Sequence, residues 1–365
     1  MQAKFLKKQP TAIISLGRLF GGMEMNAFRL AEMLRDSTEV TLIVKQGSHL
    51  DKYYKEKAQI LGVHVETIKF KMFFSPSIIF NVRRIVKNKN IKNIIFLGAS
   101  EMRSIYFSLL GLDINLIIRH GMKKTTPKKD LLHRLIYSKV NWHVSICQYL
   151  VENVREIIPF GKVSREKLIY SSLRHIPDNL YEPTIRNSAP IRLLHVARIA
   201  PGKGQVDAIK ACQVLYDRNI PFELTCIGEM FPPFEKRFQS VLQSVPYKDS
   251  VKILGFSNKV MDYMREADIY IYPSSGEGLS NSFIEALSHG LICIAYSNTS
   301  FPELRQLGFE FFLVKNDDLK DLKEQLLDAI EYRKNNKIPI QHNVNLAKKV
   351  FDATRQLNEY LEILK

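Results

Sequence analysis

Two glutamates, Glu277 and Glu285, stand with seven residues between them in the run Gly276-Glu277-Gly278-Leu279-Ser280-Asn281-Ser282-Phe283-Ile284-Glu285-Ala286-Leu287-Ser288-His289-Gly290. The run follows the apolar stretch Ile269–Tyr272 and reads as a strand, a glycine-flanked loop and a short helix. The first turn of a helix carries backbone N–H groups without partners and the positive end of the helix dipole. The segment Gly278, Leu279, Ser280 and Asn281 can therefore present amides to a diphosphate. Glu277 in the loop can accept from sugar hydroxyls, and Glu285, one helical step further in, can take both hydroxyls of a ribose. Another use of Glu285 is open: Ser282-x-x-Glu285 is also a capping box, in which the carboxylate satisfies a backbone donor.

A second group is cationic. Arg198 and Lys203 flank the Pro201-Gly202 turn of Ala197-Arg198-Ile199-Ala200-Pro201-Gly202-Lys203-Gly204, directly after the apolar run Leu193–Val196. A planar guanidinium fork and a point-charge ammonium on the two sides of a turn can converge on a diphosphate. The plainer alternative is an exposed basic turn. In the first half, Gly21-Gly22-Met23-Glu24 follows the stretch Ala12–Leu16 and opens a helical segment. There the glycine pair serves close backbone approach or a simple turn. Arg119-His120-Gly121 follows the apolar run Asn115–Ile118.

The pattern E-G-x-x-N-x-x-x-E-A-L-x-x-G over Glu277–Gly290 resembles the donor-site signature of the retaining glycosyltransferases of family 4. Ala197–Gly204 resembles that family's G-R-L-x-x-x-K-G element, with Ala197 in place of the usual glycine. The resemblance implies that Glu277 contacts the donor sugar, that Glu285 holds the nucleotide ribose, and that Arg198 and Lys203 neutralise the leaving diphosphate. It gives Gly21 and Gly22 the role of admitting the donor phosphates, and His120 that of positioning donor sugar and acceptor. Gly228 after Leu224–Ile227, and Gly255-Phe256 after Val251–Leu254, match the family's glycine turn and base-binding loop. In the family the departing phosphate takes the acceptor proton, so no separate general base is named. Leu291 stands where a proline commonly follows Gly290, and Ser280 where glycine or proline is frequent; neither change removes a charge.

Residues delivered this way need strands that end where they begin. Apolar runs alternate with helix-period segments from Ala12–Leu16 through Val40–Val44, His64–Ile68, Ile94–Leu97, Asn115–Ile118 and Trp142–Ser145. The alternation restarts at Ile191–Val196 and continues through Phe222–Ile227, Val251–Leu254, Ile269–Tyr272 and Leu291–Ala295. This is the pattern of parallel sheets with crossover helices, whose ligands bind outside the carboxyl ends of the strands. The fold class expected is α/β, with two Rossmann-like doubly wound domains facing each other across a cleft, the GT-B type. The boundaries read as 1–175 for an acceptor-binding domain, 190–345 for a nucleotide-sugar-binding domain, and 346–365 for a helix packing back on the first. The seam falls at His175–Pro190, a polar stretch punctuated by Pro177, Pro183 and Pro190.

Charge sorts the two halves. Through residue 180 there are 30 Lys and Arg against 14 Asp and Glu, whereas the remainder carries 23 of each, so the whole excess of +16 lies in the first half. That half is expected to face something anionic. Aromatics interleave with cations in two places: Phe70, Phe73, Phe74 and Phe80 among Lys71, Arg83, Arg84, Lys87 and Lys89, and the loop Lys123-Lys124 to Lys128-Lys129. Phe73 and Phe74 are the pair expected at the surface, because Ile78, Ile79, Val82 and Val86 read as a buried helical stripe.

Four scattered cysteines suit a reducing compartment, and no apolar run reaches the roughly 18 residues a membrane span needs. There is no D-x-D at a strand end, no G-x-x-x-x-G-K-[ST] loop and no G-x-S-x-G elbow. No cofactor or metal is expected, and the co-substrate is a nucleoside diphosphate sugar, with UDP as the nucleotide. The reading is a cytoplasmic hexosyltransferase passing a hexose or N-acetylhexosamine to an anionic or lipid-linked glycan, as in bacterial lipopolysaccharide or surface polysaccharide synthesis. It has peripheral contact with an anionic membrane surface at the inner face of the cytoplasmic membrane, and no nucleic-acid partner. Its rivals are a sugar-nucleotide epimerase or hydrolase on the same fold, and an inactive glycan-binding protein.

Overall fold

The computed structural model describes residues 8–17, 22–48, 51, 57, 62–98, 100–173, 190–335 and 340–365. Gly21, most of the segment Leu50–Leu61 and the seam up to residue 189 lie outside the described residues. The chain divides into two units, Met1–Ser172 with Ala353–Lys365, and Leu173–Asp352.

The first unit is built on a seven-stranded sheet of β1 (Lys8–Ser15), β2 (Thr38–Lys45), β3 (His64–Ile68), β4 (Asn93–Phe96), β5 (Asn115–His120), β6 (Val140–Ser145) and β7 (Arg165–Leu168). Its order is β3-β2-β1-β4-β5-β6-β7, and every pairing is parallel. Parallel strands are covered on both faces, so they read as unbroken apolar runs. Thus residues Thr11–Ser15 and Asn93–Phe96 are buried without a gap. The helices Pro76–Asn88, Met102–Ser108 and Leu131–Tyr137 pack side by side on one face. They share a core made by Ile78, Val82, Ile105, Tyr106, Ile136 and Tyr137.

The second unit repeats the plan with six strands: β8 (Ile191–Val196), β9 (Phe222–Ile227), β10 (Val251–Ile253), β11 (Ile269–Tyr272), β12 (Ile292–Tyr296) and β13 (Phe312–Val314). The order is β10-β9-β8-β11-β12-β13, again all parallel. In both units the chain lays strands to one side of the first strand and then crosses to the other. The reversal falls between β1 and β4 in one sheet and between β8 and β11 in the other. At such a switch point the two neighbouring loops diverge and leave a crevice above the strand ends.

The tail departs from the single helix expected over 346–365. It forms two helices, Ile340–Val350 and Ala353–Leu361, and Phe351-Asp352 interrupts them. The first belongs to the second unit, where Asn343 exchanges side-chain hydrogen bonds with the backbone of Glu310 at 2.7 and 2.8 Å. The last residues belong to the first unit. There Asn115 donates to the Ile363 carbonyl at 2.7 Å, the Lys365 amide donates to Asn93 at 2.9 Å, and Gln9 donates to the Lys365 carbonyl at 3.1 Å. Among the described residues no helix is long and apolar enough to cross a membrane.

Candidate functional site

The loops that leave β8 and β11 are neighbours because the two strands pair, Leu193 beside Ile269 and Leu194 beside Tyr270. The β8 loop, Ala197–Gly204, is fastened along its length. Gln205, buried, donates to the carbonyls of Ala197 and Arg198 at 3.3 and 3.0 Å. Ile199 bridges to Met230 beyond β9. His195, fully buried and stacked on Tyr272 at 5.1 Å, donates from Nε2 to the Lys203 carbonyl at 2.9 Å. Burial pushes its pKa down to about 4, so the ring is neutral. Glycine is required at two points. Gly204 has φ of 90°, and a Cβ there would lie 2.5 Å from Pro273. At Gly228 a Cβ would meet the Ala197 carbonyl oxygen at 1.9 Å, and its amide donates to the Gly255 carbonyl at 2.7 Å. The loops after β8, β9 and β10 are thereby drawn together.

Seated in this frame, Lys203 extends its ammonium to Glu277 Oε1 at 2.6 Å. The same oxygen accepts from the Tyr272 hydroxyl at 2.8 Å and from Ser274 at 3.4 Å. The Glu277 amide donates to Thr299 at 3.2 Å. Tyr272 is buried, and burial together with the Glu277 charge raises its pKa well above 10, so it acts as a donor to the carboxylate. Loop β11 is tied back to loop β8 through the Gly202 carbonyl, which accepts from the Ser275 amide and the Ser274 hydroxyl, both at 3.0 Å. Arg198 is exposed beside this ion pair's loop, where a guanidinium can receive an anion.

The helix Asn281–Ser288 begins at the same end of the sheet. Its cap is Ser280, whose hydroxyl accepts from the Phe283 amide, so the first helical residue is Asn281. This corrects the capping-box alternative. Ser282 lies inside the first turn, where its hydroxyl donates to the Val196 carbonyl at 2.8 Å and accepts from Tyr270 at 2.8 Å. Glu285 sits two residues beyond Phe283, the position a capping box needs, and is buried. Gly278, Leu279 and Ser280 are buried and Asn281 half-buried, leading into the helix start. Gly255 has φ of 65°, and Phe256 beside it is 68% exposed.

Arg198, Lys203, Gly228, Gly255, Phe256, Glu277 and Glu285 thus all belong to the second unit. The sequence reading did not single out Tyr272, Ser274, His195 or Thr299, which set the position of Glu277 and Lys203. The spacing of Tyr270 and Tyr272 on one sheet face was the available signal.

The first unit holds the other two groups. Gly22 opens the helix Gly22–Leu34, and Glu24 is buried against Gly17, where a Cβ would stand 2.1 Å from Glu24 Oε1. His120 ends β5 and is buried; its Nε2 lies 3.0 Å from His143 Nδ1, and the rings stack at 5.3 Å. Burial, with Lys124 and Lys128 nearby, holds His120 well below the usual imidazole range, so it is neutral. Arg119 points elsewhere: it is buried and donates to Ser171 at 2.6 Å.

Residues 180–345, under half of the chain, match the family described as glycosyl transferases group 1. The amylovoran biosynthesis glycosyltransferase AmsK of Erwinia amylovora is 31% identical over 146 residues, which is 38% of this chain and 35% of that protein. The chain spans about two fifths or less of the length of the curated relatives it matches first, 35%, 42% and 36% in turn. Among solved structures, a glycosyltransferase from Rickettsia africae ESF-5 is similar with a TM-score of 0.82 at 15% identity, covering 98% of each chain. Anabaena Alr3699/HepE, solved with UDP and glucose, gives 0.79 at 16% identity over 97% of this chain and 98% of that one. The chain has the two-Rossmann-unit GT-B fold of these structures, and it is related to bacterial polysaccharide glycosyltransferases.

Proposed function

We propose that the chain is a retaining, metal-independent glycosyltransferase that moves a hexose or N-acetylhexosamine from a nucleoside diphosphate sugar, UDP-linked, to a hydroxyl of a glycan acceptor. One observation carries the reading. An exposed arginine and a lysine–glutamate pair at 2.6 Å stand on the loops of two adjacent strands at a sheet switch point, with a buried second glutamate in the helix that follows. In this reading the diphosphate lies against Arg198, Lys203 and the amides at the start of the helix Asn281–Ser288. Glu285 takes the ribose hydroxyls, and main-chain groups beside Gly255 and Phe256 take the base.

Catalysis is then mainly positioning and electrostatics. As the anomeric carbon becomes cationic and the diphosphate departs, Arg198 and Lys203 stabilise the growing charge, and Glu277 holds the sugar by its hydroxyls. The departing phosphate accepts the acceptor proton, which matches a site whose carboxylates are both engaged in binding. His120, neutral and held against His143, offers a ring nitrogen to substrate rather than a charge.

The acceptor-binding role falls to the first unit, where the whole excess positive charge lies. An anionic or lipid-linked glycan fits it, at the cytoplasmic face of a membrane, and the polysaccharide-synthesis relatives support that class of product. The test is product analysis: nuclear magnetic resonance of the glycoside formed from an α-linked UDP-sugar should show an α linkage. A β product would overturn the retaining assignment.

A further inference from the structure

The three helices that cover one face of the first unit's sheet turn an unusually apolar surface outward. On Leu131–Tyr137 the inward side is Ile136 and Tyr137, while Leu131, Leu132 and Leu135 are 84%, 43% and 50% exposed. A short amphipathic helix ordinarily turns such residues inward. Next to it, Phe107 of the middle helix meets Phe74 with ring centroids 5.8 Å apart, and Phe73 and Phe74 are 55% and 51% exposed. Phe80 is 71% exposed on the helix Pro76–Asn88. Phe73 and Phe74 are thus the exposed pair, whereas Phe70, the first of the interleaved aromatics, is buried beneath Lys45, whose ammonium lies 4.3 Å from its ring.

Beside the leucine helix opens a hollow of about 950 Å³ lined by Lys129, Arg134, Arg155, Lys162 and Arg165, with Phe160 as its apolar wall. The one carboxylate in it, Glu166, is gripped by Arg155 through both oxygens. Lys129 and Lys162 have no carboxylate partner among the described residues. Arg134 marks the join: it lies on the leucine helix and donates to the Lys129 carbonyl at 3.0 Å. Isolated exposed leucines need no explanation, but packed helices that turn leucines and phenylalanines outward, edged by cations that outnumber the one carboxylate among them, have the composition of a headgroup interface.

We infer that this helix layer is the surface by which the chain docks on an anionic phospholipid bilayer, with Leu131, Leu132 and Leu135 entering the headgroup–acyl boundary and the hollow receiving lipid phosphates. The inference deepens the proposed acceptor reading by naming the face that meets the lipid. Charge complementarity selects the occupant. A soluble protein partner would satisfy the leucines, but Lys129, Arg134, Lys162 and Arg165, four cations left over once Arg155 is paired with Glu166, suit closely spaced phosphates.

Co-sedimentation with phosphatidylglycerol-containing vesicles, against pure phosphatidylcholine, tests it on the full chain. Binding should require the anionic lipid and should fall as added salt shortens the screening length to about 3 Å at 1 M. Two variants separate the contributions: Leu131→Ser with Leu135→Ser, and Arg134→Glu with Lys162→Glu. Each should weaken vesicle binding more than tenfold while leaving nucleotide release with a soluble acceptor unchanged. Equal binding to zwitterionic vesicles, or wild-type binding by both variants, would overturn the assignment. So would competition by inorganic phosphate that the charge variant abolishes and the leucine variant leaves intact, for the hollow would then be a soluble-anion site. Vesicle binding without any nucleotide release would sink the proposed transferase and leave the docking face standing.

Discussion

Replacing Glu277 by glutamine removes a charge and keeps the shape. The ammonium of Lys203 lies 2.6 Å from Glu277, with side chains 27% and 16% exposed. Two unit charges at that distance attract by about 6 kcal/mol at an effective dielectric constant of ~20. Desolvation and remaining solvent contact offset most of this, and partly exposed pairs retain about 1 to 2 kcal/mol. A diphosphate arriving at Lys203 must compete for the same ammonium. Removing the rival carboxylate should therefore strengthen UDP binding by about tenfold, the equivalent of roughly 1.4 kcal/mol. The amide oxygen can still accept from Tyr272 and Ser274, so the fold should persist. Transfer should nevertheless fall about a hundredfold, because a charged acceptor for the sugar hydroxyls is lost in the transition state. Calorimetry with UDP and a steady-state transfer assay read the two effects separately. UDP bound no more tightly than by the wild type, or transfer within about threefold of it, would refute the reasoning.

Other consequences can be checked with the same materials. Glu285→Gln should weaken UDP binding by more than about tenfold while the helix cap, which Ser280 makes, stays in place; normal UDP binding would remove the ribose role. Gly228→Ala drives a methyl group against the Ala197 carbonyl, and should cost more than about 2 kcal/mol in urea unfolding while displacing the Arg198 loop. An unchanged midpoint would show that this contact is not needed. The pKa of His195 is lowered to about 4 by burial, so below its unfolded value of about 6.5 the unfolded chain binds a proton that the native one refuses. Stability present above about pH 6.5 is lost as the pH falls toward 4, at about 1.4 kcal/mol per pH unit. Between pH 7 and 5, wild type should therefore lose about 2 kcal/mol more than His195→Gln, and parallel losses would contradict the assignment.

The two doubly wound sheets were legible because their central strands are buried on both faces and therefore appear as continuous apolar runs. What escaped lies at the edges. Arg165–Leu168 forms β7, yet three of its four residues are charged, and an edge strand needs no apolar run. The helix Leu131–Tyr137 has its leucines outward, so a reading by amphipathic period has no reason to treat it as a surface. At the site, glycine spacing and charge type located both loops, since those are local features. The Lys203–Glu277 pair joins residues 74 positions apart through the pairing of β8 with β11, and no local pattern carries that. Tyr272 was hidden for a similar reason: as the last residue of an apolar strand it reads as core, and only the loop folding over it gives its hydroxyl a carboxylate to hold. The cap at Ser282 stayed open as an alternative because Ser280 and Ser282 both suit a helix start, and the choice rests on Ser282 being drawn to Val196 and Tyr270.

The central claim is that the β8 and β11 loops discharge a nucleoside diphosphate sugar onto an acceptor without a metal. It is tested most directly by measuring nucleotide release from a panel of sugar nucleotides, with and without a glycan acceptor, in excess chelator. The account predicts acceptor-dependent release from a UDP-sugar, undiminished by chelation and reduced more than about tenfold in Arg198→Ala and in Lys203→Ala, as expected for losing about 2 kcal/mol of transition-state stabilisation. Release that needs Mg²⁺ or Mn²⁺, that proceeds equally without acceptor, or that survives the double variant at near wild-type rate would contradict it.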